Sequence, residues 1–229
     1  MLNKPLNLYI DHTLLSPSAG PDDIVRICAE AEQYSFASVC VNPCYVPLAA
    51  DRLRGTDVKV CTVIGFPLGQ NSTAIKVAEA KAALEEGASE IDAVMNVGMF
   101  RAGGRLYHEQ EVKALAEAVH TKEGAVLKII LETCLLTPEE IYEASVISGR
   151  AGADFVKTST GFSTGGATVE AVSIMKKAVE EAGLSTSIKA SGGIRTLETA
   201  LSMIEAGADR LGASAGAAIM KQAEEAGLK

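Results

Sequence analysis

The chain has 229 residues, which suits one large α/β domain or two small ones, and a formal net charge of −8 at pH 7. This acidity argues against an extended nucleic-acid surface, although locally concentrated positive groups can still bind a small anion. Aromatic residues make up only 4% of the chain and tryptophan is absent, so the core must consist of the aliphatic side chains that pack helices against buried parallel strands.

Short β-rich apolar segments alternate with longer helical patterns along the chain. Strands are predicted at residues 8–11, 36–41, 58–64, 90–96, 126–132, 153–157, 187–190 and 209–212. The clearest helices are predicted at residues 74–86, 138–149, 167–182 and 197–206. This alternation is typical of repeated βα units and a parallel sheet.

The boundaries between these elements repeat. EEGASEID, RAGADFVK and EAGADRLG each join a helix end to the next strand through Gly-Ala, since glycine readily adopts the left-handed conformation that ends a helix. Thr137-Pro138-Glu139-Glu140 has the composition of a helix start with a capping box. Eight such units predict a (β/α)₈ TIM barrel that forms a single catalytic domain over residues 1–229. An open doubly wound sheet is the alternative, but no glycine-rich turn follows the first strand.

Glycine-rich segments follow the last two predicted strands, where a barrel of this kind often binds phosphate. Ser191-Gly192-Gly193 follows the seventh strand and Gly212-Ala213-Ser214 lies at the eighth. Such turns can direct backbone N–H groups at an anion, although each alone could be an ordinary βα turn. Thr158 and Gly161, in the KTSTG segment after the sixth strand, are expected to add a third wall.

Two lysines and an aspartate lie on predicted strands. Lys157 and Lys189 occupy consecutive strands and should be neighbours, and Asp92 lies on the fourth strand. Two adjacent ammonium groups disfavour each other's charged form, and burial acts in the same direction, so we expect a lowered pKa for one of them. A neutral amine can form a Schiff base with a carbonyl, and Asp92 could then transfer protons. The alternative is that each lysine is a solvated charge or salt-bridge partner that Asp92 neutralises.

Other ionisable residues have weaker patterns. Lys128 is expected to be a structural residue that pairs with Glu132. Asp11 and His12 are placed at the end of the first strand, where they could meet substrate hydroxyls, with His12 either a general base or a structural hydrogen-bond partner. His108 is expected on a solvated helix face.

The five cysteines lack paired zinc-site spacing, so neither a metal nor another cofactor is expected and most of the thiols should be buried and free. The amino-terminal stretch lacks the apolar run of a signal peptide, and no stretch reaches membrane-spanning length. These features predict a cytoplasmic protein.

The motifs IDHTLL, VCVNP, EIDAVMNVG, LKIILET, FVKTSTGF, IKASGGIR and LGAS occur in this order along the chain. In this set and order the chain resembles the class I deoxyribose-phosphate aldolases. The resemblance implies a TIM barrel that reversibly cleaves 2-deoxy-D-ribose 5-phosphate to acetaldehyde and D-glyceraldehyde 3-phosphate without a metal. It also implies phosphosugar and aldehyde ligands, and no nucleic-acid or membrane partner.

The resemblance also implies roles for particular residues. Lys157 corresponds to the Schiff-base lysine, Lys189 to the lysine that lowers its pKa and assists proton transfer, and Asp92 to the acid that moves protons with a water molecule. Cys40 corresponds to a cysteine near the pocket. The residues that correspond to substrate or phosphate contacts, or adjoin them in the same loops, are Asp11, Thr158, Gly161, Ser191, Gly192, Gly193, Gly212 and Ser214.

The chain departs from longer relatives, whose flexible tail ends in a tyrosine that assists proton abstraction. Its last tyrosine is Tyr142, so Asp92 and water act alone or proton abstraction is slower. Two alternatives to the leading function are another Schiff-base phosphosugar aldolase or transaldolase-like enzyme, and a non-catalytic phosphosugar-binding barrel. Association through outer helices into a homodimer or homotetramer is open.

Overall fold

The structure, a computed structural model, describes residues 2–228 and contains a closed barrel of eight parallel strands in sequence order. The strands are β1 Ile10–Leu14, β2 Ser38–Val41, β3 Lys59–Ile64, β4 Glu90–Val94, β5 Val126–Ile130, β6 Phe155–Lys157, β7 Ser187–Ser191 and β8 Arg210–Ala213. The helices are α1 Pro21–Tyr34, α2 Val46–Arg52, α3 Thr73–Glu85, α4 Val97–Arg101, α5 Arg105–Val119, α6 Pro138–Arg150, α7 Val169–Glu181, α8 Leu197–Glu205 and α9 Gly216–Glu225. The predicted fold class, a (β/α)₈ barrel, is confirmed.

The three Gly-Ala boundaries adopt one conformation. Gly87, Gly152 and Gly207 have φ of 118°, 103° and 113°. In each case the alanine that follows donates its N–H to the carbonyl five residues earlier, as Ala153 does to Ser148. This is the hydrogen bond of a Schellman motif, which ends the helix and directs the chain into the next strand.

The capping box predicted for α6 is also present. Thr137 Oγ1 accepts the N–H of Glu140, and the Glu140 carboxylate accepts the N–H of Thr137. These two bonds satisfy donors that the first turn of a helix otherwise leaves without partners.

The predicted position of the first strand was wrong. Residues Leu6–Tyr9 form a 3₁₀ helix, and β1 begins at Ile10, where it pairs with both β2 and β8. A four-residue apolar run is too short to separate a strand from a helical turn. Asp11 and His12 therefore lie near the start of β1, where adjacent side chains point to opposite faces.

The predicted exposure of His108 was also wrong. His108 is buried on α5, with Phe100 against its ring and Ser148 Oγ 2.9 Å from Nε2. It lies on the same helix face as the buried residues Val112 and Leu115, so the helix turns it inward, against residues of α4 and α6. Burial lowers the pKa of His108 to about 4.

Behind β4, Lys76 on α3 and Glu111 on α5 form a buried ion pair of 2.9 Å, and Lys76 also donates to the carbonyl of Val94. Within residues 2–228, every helix is too short or too polar to cross a membrane.

Candidate active site

Three of the predicted site residues meet inside the barrel. Lys157 ends β6, Lys189 lies opposite it on β7, and both side chains are buried. Each ammonium group donates to the same oxygen, Oδ2 of Asp92 on β4, over 2.7 Å from Lys157 and 2.8 Å from Lys189. The predicted neighbourhood of the two lysines, and the presence of Asp92 beside them, are confirmed.

Asp92 and Lys189 belong to a closed ring of six charged side chains, which we call the charge ring: Asp11, Glu90, Asp92, Lys128, Lys189 and Arg210. Lys128 Nζ lies 2.9 Å from Asp92 Oδ1 and 2.6 Å from Glu90 Oε2. Glu90 accepts from Arg210 at 3.0 Å, and Arg210 donates through Nε to Asp11 Oδ1 at 2.7 Å. Asp11 Oδ2 lies 2.5 Å from Lys189 Nζ, which completes the ring at Asp92.

The ring determines the charge of its members. Burial alone would raise the pKa of Asp92, but the ammonium groups of Lys128, Lys157 and Lys189 hold it well below its usual range. Burial would lower the pKa of Lys189, but the carboxylates of Asp11 and Asp92 raise it above its usual value. At neutral pH Asp92 is therefore a carboxylate, able to accept a proton, and Lys189 is a fixed positive charge next to Lys157.

Lys157 differs from Lys128 and Lys189 because it reaches a cavity. The cavity has a volume of about 400 Å³ and opens at the carboxyl ends of β1, β6, β7 and β8. We call it the loop cavity. Lys128, Lys189 and Arg210 are outside its lining, whereas Lys157 is part of it. A ligand in this space therefore meets one amine.

The predicted glycine loops line the same cavity as Lys157. Gly161, Gly192 and Gly193 line the cavity with φ of 86°, 87° and 83°, a left-handed conformation that side-chain-bearing residues rarely adopt. A Cβ at Gly192 would lie 2.9 Å from Gly166 Cα, so the close approach of these loops also requires glycine. Further lining comes from Ser191, Gly212, Ser214 and the exposed Arg195. Backbone N–H groups and a guanidinium around one space suit an anion.

Two predicted contact residues lie elsewhere. Thr158 is fully buried, and its hydroxyl donates to the carbonyl of Ser191 and accepts the N–H of Ser191, both over 3.0 Å. It links β6 to β7 and is not part of the cavity lining. Asp11 lies deeper in the barrel than the cavity and is engaged by Lys189 and Arg210. Thr13, two residues later on the same face of β1, lines the cavity instead.

The structure also places three other predicted residues, and it corrects the expected partner of Lys128. His12 faces outward, with Nε2 2.6 Å from Glu30 of α1 and its ring against Phe36, so the structural alternative is the one observed. Lys128 pairs with Glu90 and Asp92, not with Glu132. Cys40 is fully buried and lies outside the cavity lining.

Glu132 has a different role in the structure. It follows β5 with φ of 56°, an unusual conformation for a residue with a side chain. Its buried carboxylate accepts hydrogen bonds from the backbone N–H and the hydroxyl of Thr160. Thr160 precedes Gly161 and lines the loop cavity, so Glu132 holds one wall of the cavity in place.

Sequence reasoning missed Glu90 and Arg210. Glu90 stands two residues before Asp92 on β4, so strand alternation puts both on the inner face, and this signal could have identified it. Arg210 begins β8, but its partners on β1 and β4 become adjacent only when the barrel closes.

Cys40, Cys61 and Asp92 bring potential metal ligands within 4.8 Å of one another. The three ammonium groups that contact Asp92 would repel a divalent cation at this position. The chemistry of the site therefore suits amine catalysis better than metal binding, and the expected absence of a metal stays a prediction.

Comparison with known proteins places this site in a family. The profile of DeoC/LacD family aldolases matches residues 6–222. Deoxyribose-phosphate aldolase of Caldanaerobacter subterraneus subsp. tengcongensis is 53% identical over 219 residues, which cover 96% of this chain and 94% of the relative. The Streptococcus sanguinis enzyme of the same name is also 53% identical, with 97% of this chain and 98% of the relative covered.

A solved structure supports the same assignment. The tetrameric deoxyribose phosphate aldolase from Aeropyrum pernix superimposes with a TM-score of 0.89 at 35% identity, covering 96% of this chain and 92% of that chain. The chain therefore belongs to the DeoC/LacD aldolase family and is an aldolase, a carbon–carbon lyase.

Proposed function

We propose that the chain reversibly cleaves 2-deoxy-D-ribose 5-phosphate to acetaldehyde and D-glyceraldehyde 3-phosphate through a Schiff base on Lys157. The observation that carries the proposal is that Lys157 alone among the clustered lysines reaches the loop cavity while its ammonium group contacts Asp92. The proposed substrate is the deoxyribose phosphate for which the relatives are named. The glycine loops that line the cavity suit its phosphate group.

In the proposed reaction the neutral amine of Lys157 attacks the C1 aldehyde of the open-chain sugar, and water leaves to form an iminium ion. A base removes the proton of the C3 hydroxyl, C3 becomes the aldehyde carbon of glyceraldehyde 3-phosphate, and the C2–C3 bond breaks. The electron pair of that bond forms the C1=C2 double bond of an enamine, and the iminium nitrogen becomes neutral. Glyceraldehyde 3-phosphate departs, a proton adds to C2, and hydrolysis releases acetaldehyde and the amine. Asp92, an ionised carboxylate beside Lys157, is proposed to accept and return these protons, directly or through water.

Lys189 is proposed to favour the neutral form of Lys157. Its charge is held by Asp11 and Asp92, and a persistent positive charge nearby opposes a second one on Lys157. The loops at Gly161, Gly192, Gly193, Gly212 and Ser214 are proposed to bind the phosphate, with Arg195 adding positive charge at the same wall.

Borohydride trapping tests the proposal. Reduction in the presence of acetaldehyde should attach one ethyl group to Lys157, identified by peptide mass spectrometry. Lys128 and Lys189 act as internal controls because both are fully buried and paired with two carboxylates each. Labelling of another lysine, or none, would overturn the Schiff-base assignment. Comparing acetaldehyde with dihydroxyacetone as donor separates this reaction from a transaldolase-like one.

Loss of the Glu132 carboxylate should weaken binding of the phosphorylated substrate. Glu132→Ala frees Thr160 beside the phosphate wall, so we expect KM for deoxyribose 5-phosphate to rise about tenfold, from the loss of buried charge-assisted hydrogen bonds. Glu132→Gln keeps an acceptor and should have a smaller effect. Deoxyribose without phosphate is the matched substrate, and an equal loss with both sugars would contradict a role at the phosphate wall.

Four broader statements stay predictions. A single catalytic domain, a cytoplasmic location and the absence of a cofactor derive from the sequence pattern and the resemblance. A homodimer or homotetramer is proposed with support from the tetrameric A. pernix relative.

A further inference from the structure

We propose that Glu90 and Arg210, which lie outside the loop cavity, act as positioning residues: they complete the charge ring and so leave Lys157 without a carboxylate of its own. The inference deepens the proposed function, since it concerns the amine assigned there. Neither residue touches the cavity or Lys157, and both act through the ring.

The contacts within the ring alternate in charge. Lys128 contacts Glu90 and Asp92, Lys189 contacts Asp11 and Asp92, and Arg210 contacts Asp11 and Glu90. Each cation therefore has two carboxylates and each carboxylate has two cations, so the ring is electrically balanced. Buried charges are tolerated when they are paired in this way.

Lys157 stands outside this balance. Its contact within the cluster is Asp92 Oδ2, which Lys189 already shares, while Lys128 occupies Oδ1. With Lys157 charged, the cluster would hold four cations against three carboxylates. The excess positive charge falls at Lys157, because Lys157 has one carboxylate partner whereas each ring cation has two, and it lines the cavity.

The remaining titratable groups around this cluster include two thiols and, near Arg210 and Asp11, the amine of Lys4, which all the variants below retain. Cys40 on β2 and Cys61 on β3 complete the barrel wall, and Cys61 Sγ lies 3.2 Å from Asp92 Oδ1. Burial raises the pKa of Cys61 well above its usual value, whereas a hydrogen bond with Cys61 lowers the pKa of Cys40. Both thiols are unchanged in the substitutions below, so they do not alter the direction of the expected effects.

Changing the ring charge should therefore move the acid limb of the kcat/KM profile in opposite directions. Arg210→Gln removes a positive charge from the cluster and should shift this limb to higher pH. Glu90→Gln removes a negative charge and should shift that limb to lower pH. Each shift should be about one pH unit, the size expected for a unit charge acting across a protein interior.

Two matched variants complete the experiment, in which kcat/KM for deoxyribose 5-phosphate is measured across the pH range. Arg210→Lys preserves the charge and should retain the wild-type limb. The double substitution of Glu90 and Arg210 by glutamine restores the balance and should do the same. Unmoved limbs, or shifts of the same sign in both single variants, would overturn the inference, because a merely structural role lowers activity without opposite shifts.

Two controls separate this result from misfolding of the variants and from failure of the proposed function of Lys157. Thermal melting checks each variant. Glu90→Gln retains an amide oxygen that can accept from Lys128 and Arg210, so it is the safer variant, and its shift decides the matter if Arg210→Gln does not fold. Wild-type protein that lacks a trappable Lys157 would refute the proposed function itself. Wild-type protein that traps normally, with limbs unmoved in the variants, would refute only the role of the ring.

Discussion

Replacing Lys157 with alanine is expected to lower turnover of deoxyribose 5-phosphate by about 10⁴-fold or more, the scale of losing a covalent nucleophile. The remaining lysines cannot substitute, since Lys128 and Lys189 are fully buried in the charge ring and outside the cavity lining. Stability should change little, because Asp92 keeps Lys128 and Lys189 as partners. Steady-state assays of glyceraldehyde 3-phosphate release, with thermal melting beside them, measure both effects.

Lys157→Arg is the matched control for charge. Arginine preserves the positive charge near Asp92 but stays protonated at working pH, so it cannot attack a carbonyl. It should be as inactive as the alanine variant. Activity within tenfold of wild type in either variant would show that the amine of Lys157 is not the nucleophile.

Asp92→Asn should reduce both activity and stability. The carboxylate is the common partner of Lys128, Lys157 and Lys189. Its loss leaves Lys157 without a carboxylate partner, and leaves Lys128 and Lys189 with one each, Glu90 and Asp11. Breaking a buried pair in this way costs about 3–5 kcal/mol of unfolding free energy. Turnover should fall by about 10²-fold or more, because the proposed proton acceptor is removed. Denaturant titration and steady-state kinetics measure the two losses.

The stability difference should also depend on pH in a definite direction. The pKa of Asp92 is lower in the folded protein than in the unfolded chain. Its contribution is therefore complete above the unfolded value of about 4 and declines as the pH falls below it toward the folded value. Unfolding curves of wild type and Asp92→Asn should accordingly converge at acid pH. A constant difference down to acid pH would contradict the ionised state of Asp92.

Glu111→Gln provides a matched control for the loss of a buried carboxylate. Glu111 pairs with Lys76 behind the barrel wall, and both side chains are as buried as those of the charge ring. Its loss should destabilise the protein but leave turnover near the wild-type value at temperatures where the variant is folded. An equal loss of activity in Glu111→Gln and Asp92→Asn would indicate that instability, not chemistry, explains the latter.

Most of the fold could be predicted from local sequence patterns. The Gly-Ala boundaries, the capping box at Thr137 and the eight apolar segments depend on interactions within a few residues, and the sequence records them directly. The first strand was misplaced because its start depends on pairing with β2 and β8, more than a few residues away. His108 was misjudged because the polarity of one residue does not reveal which face of α5 it occupies.

The barrel and the neighbourhood of Lys157 and Lys189 could be predicted from the order of the strands, because consecutive parallel strands of such a barrel lie side by side. The charge ring could not, since Asp11 and Arg210 are 199 residues apart and meet where β8 closes against β1. Neither could the role of Thr158 in joining two strands, the place of Thr13 in the cavity lining, or the contact of Glu132 with Thr160. Hydrogen bonds and ion pairs depend on distances of about 3 Å, and these distances are set by how strands and loops pack rather than by residue type or spacing.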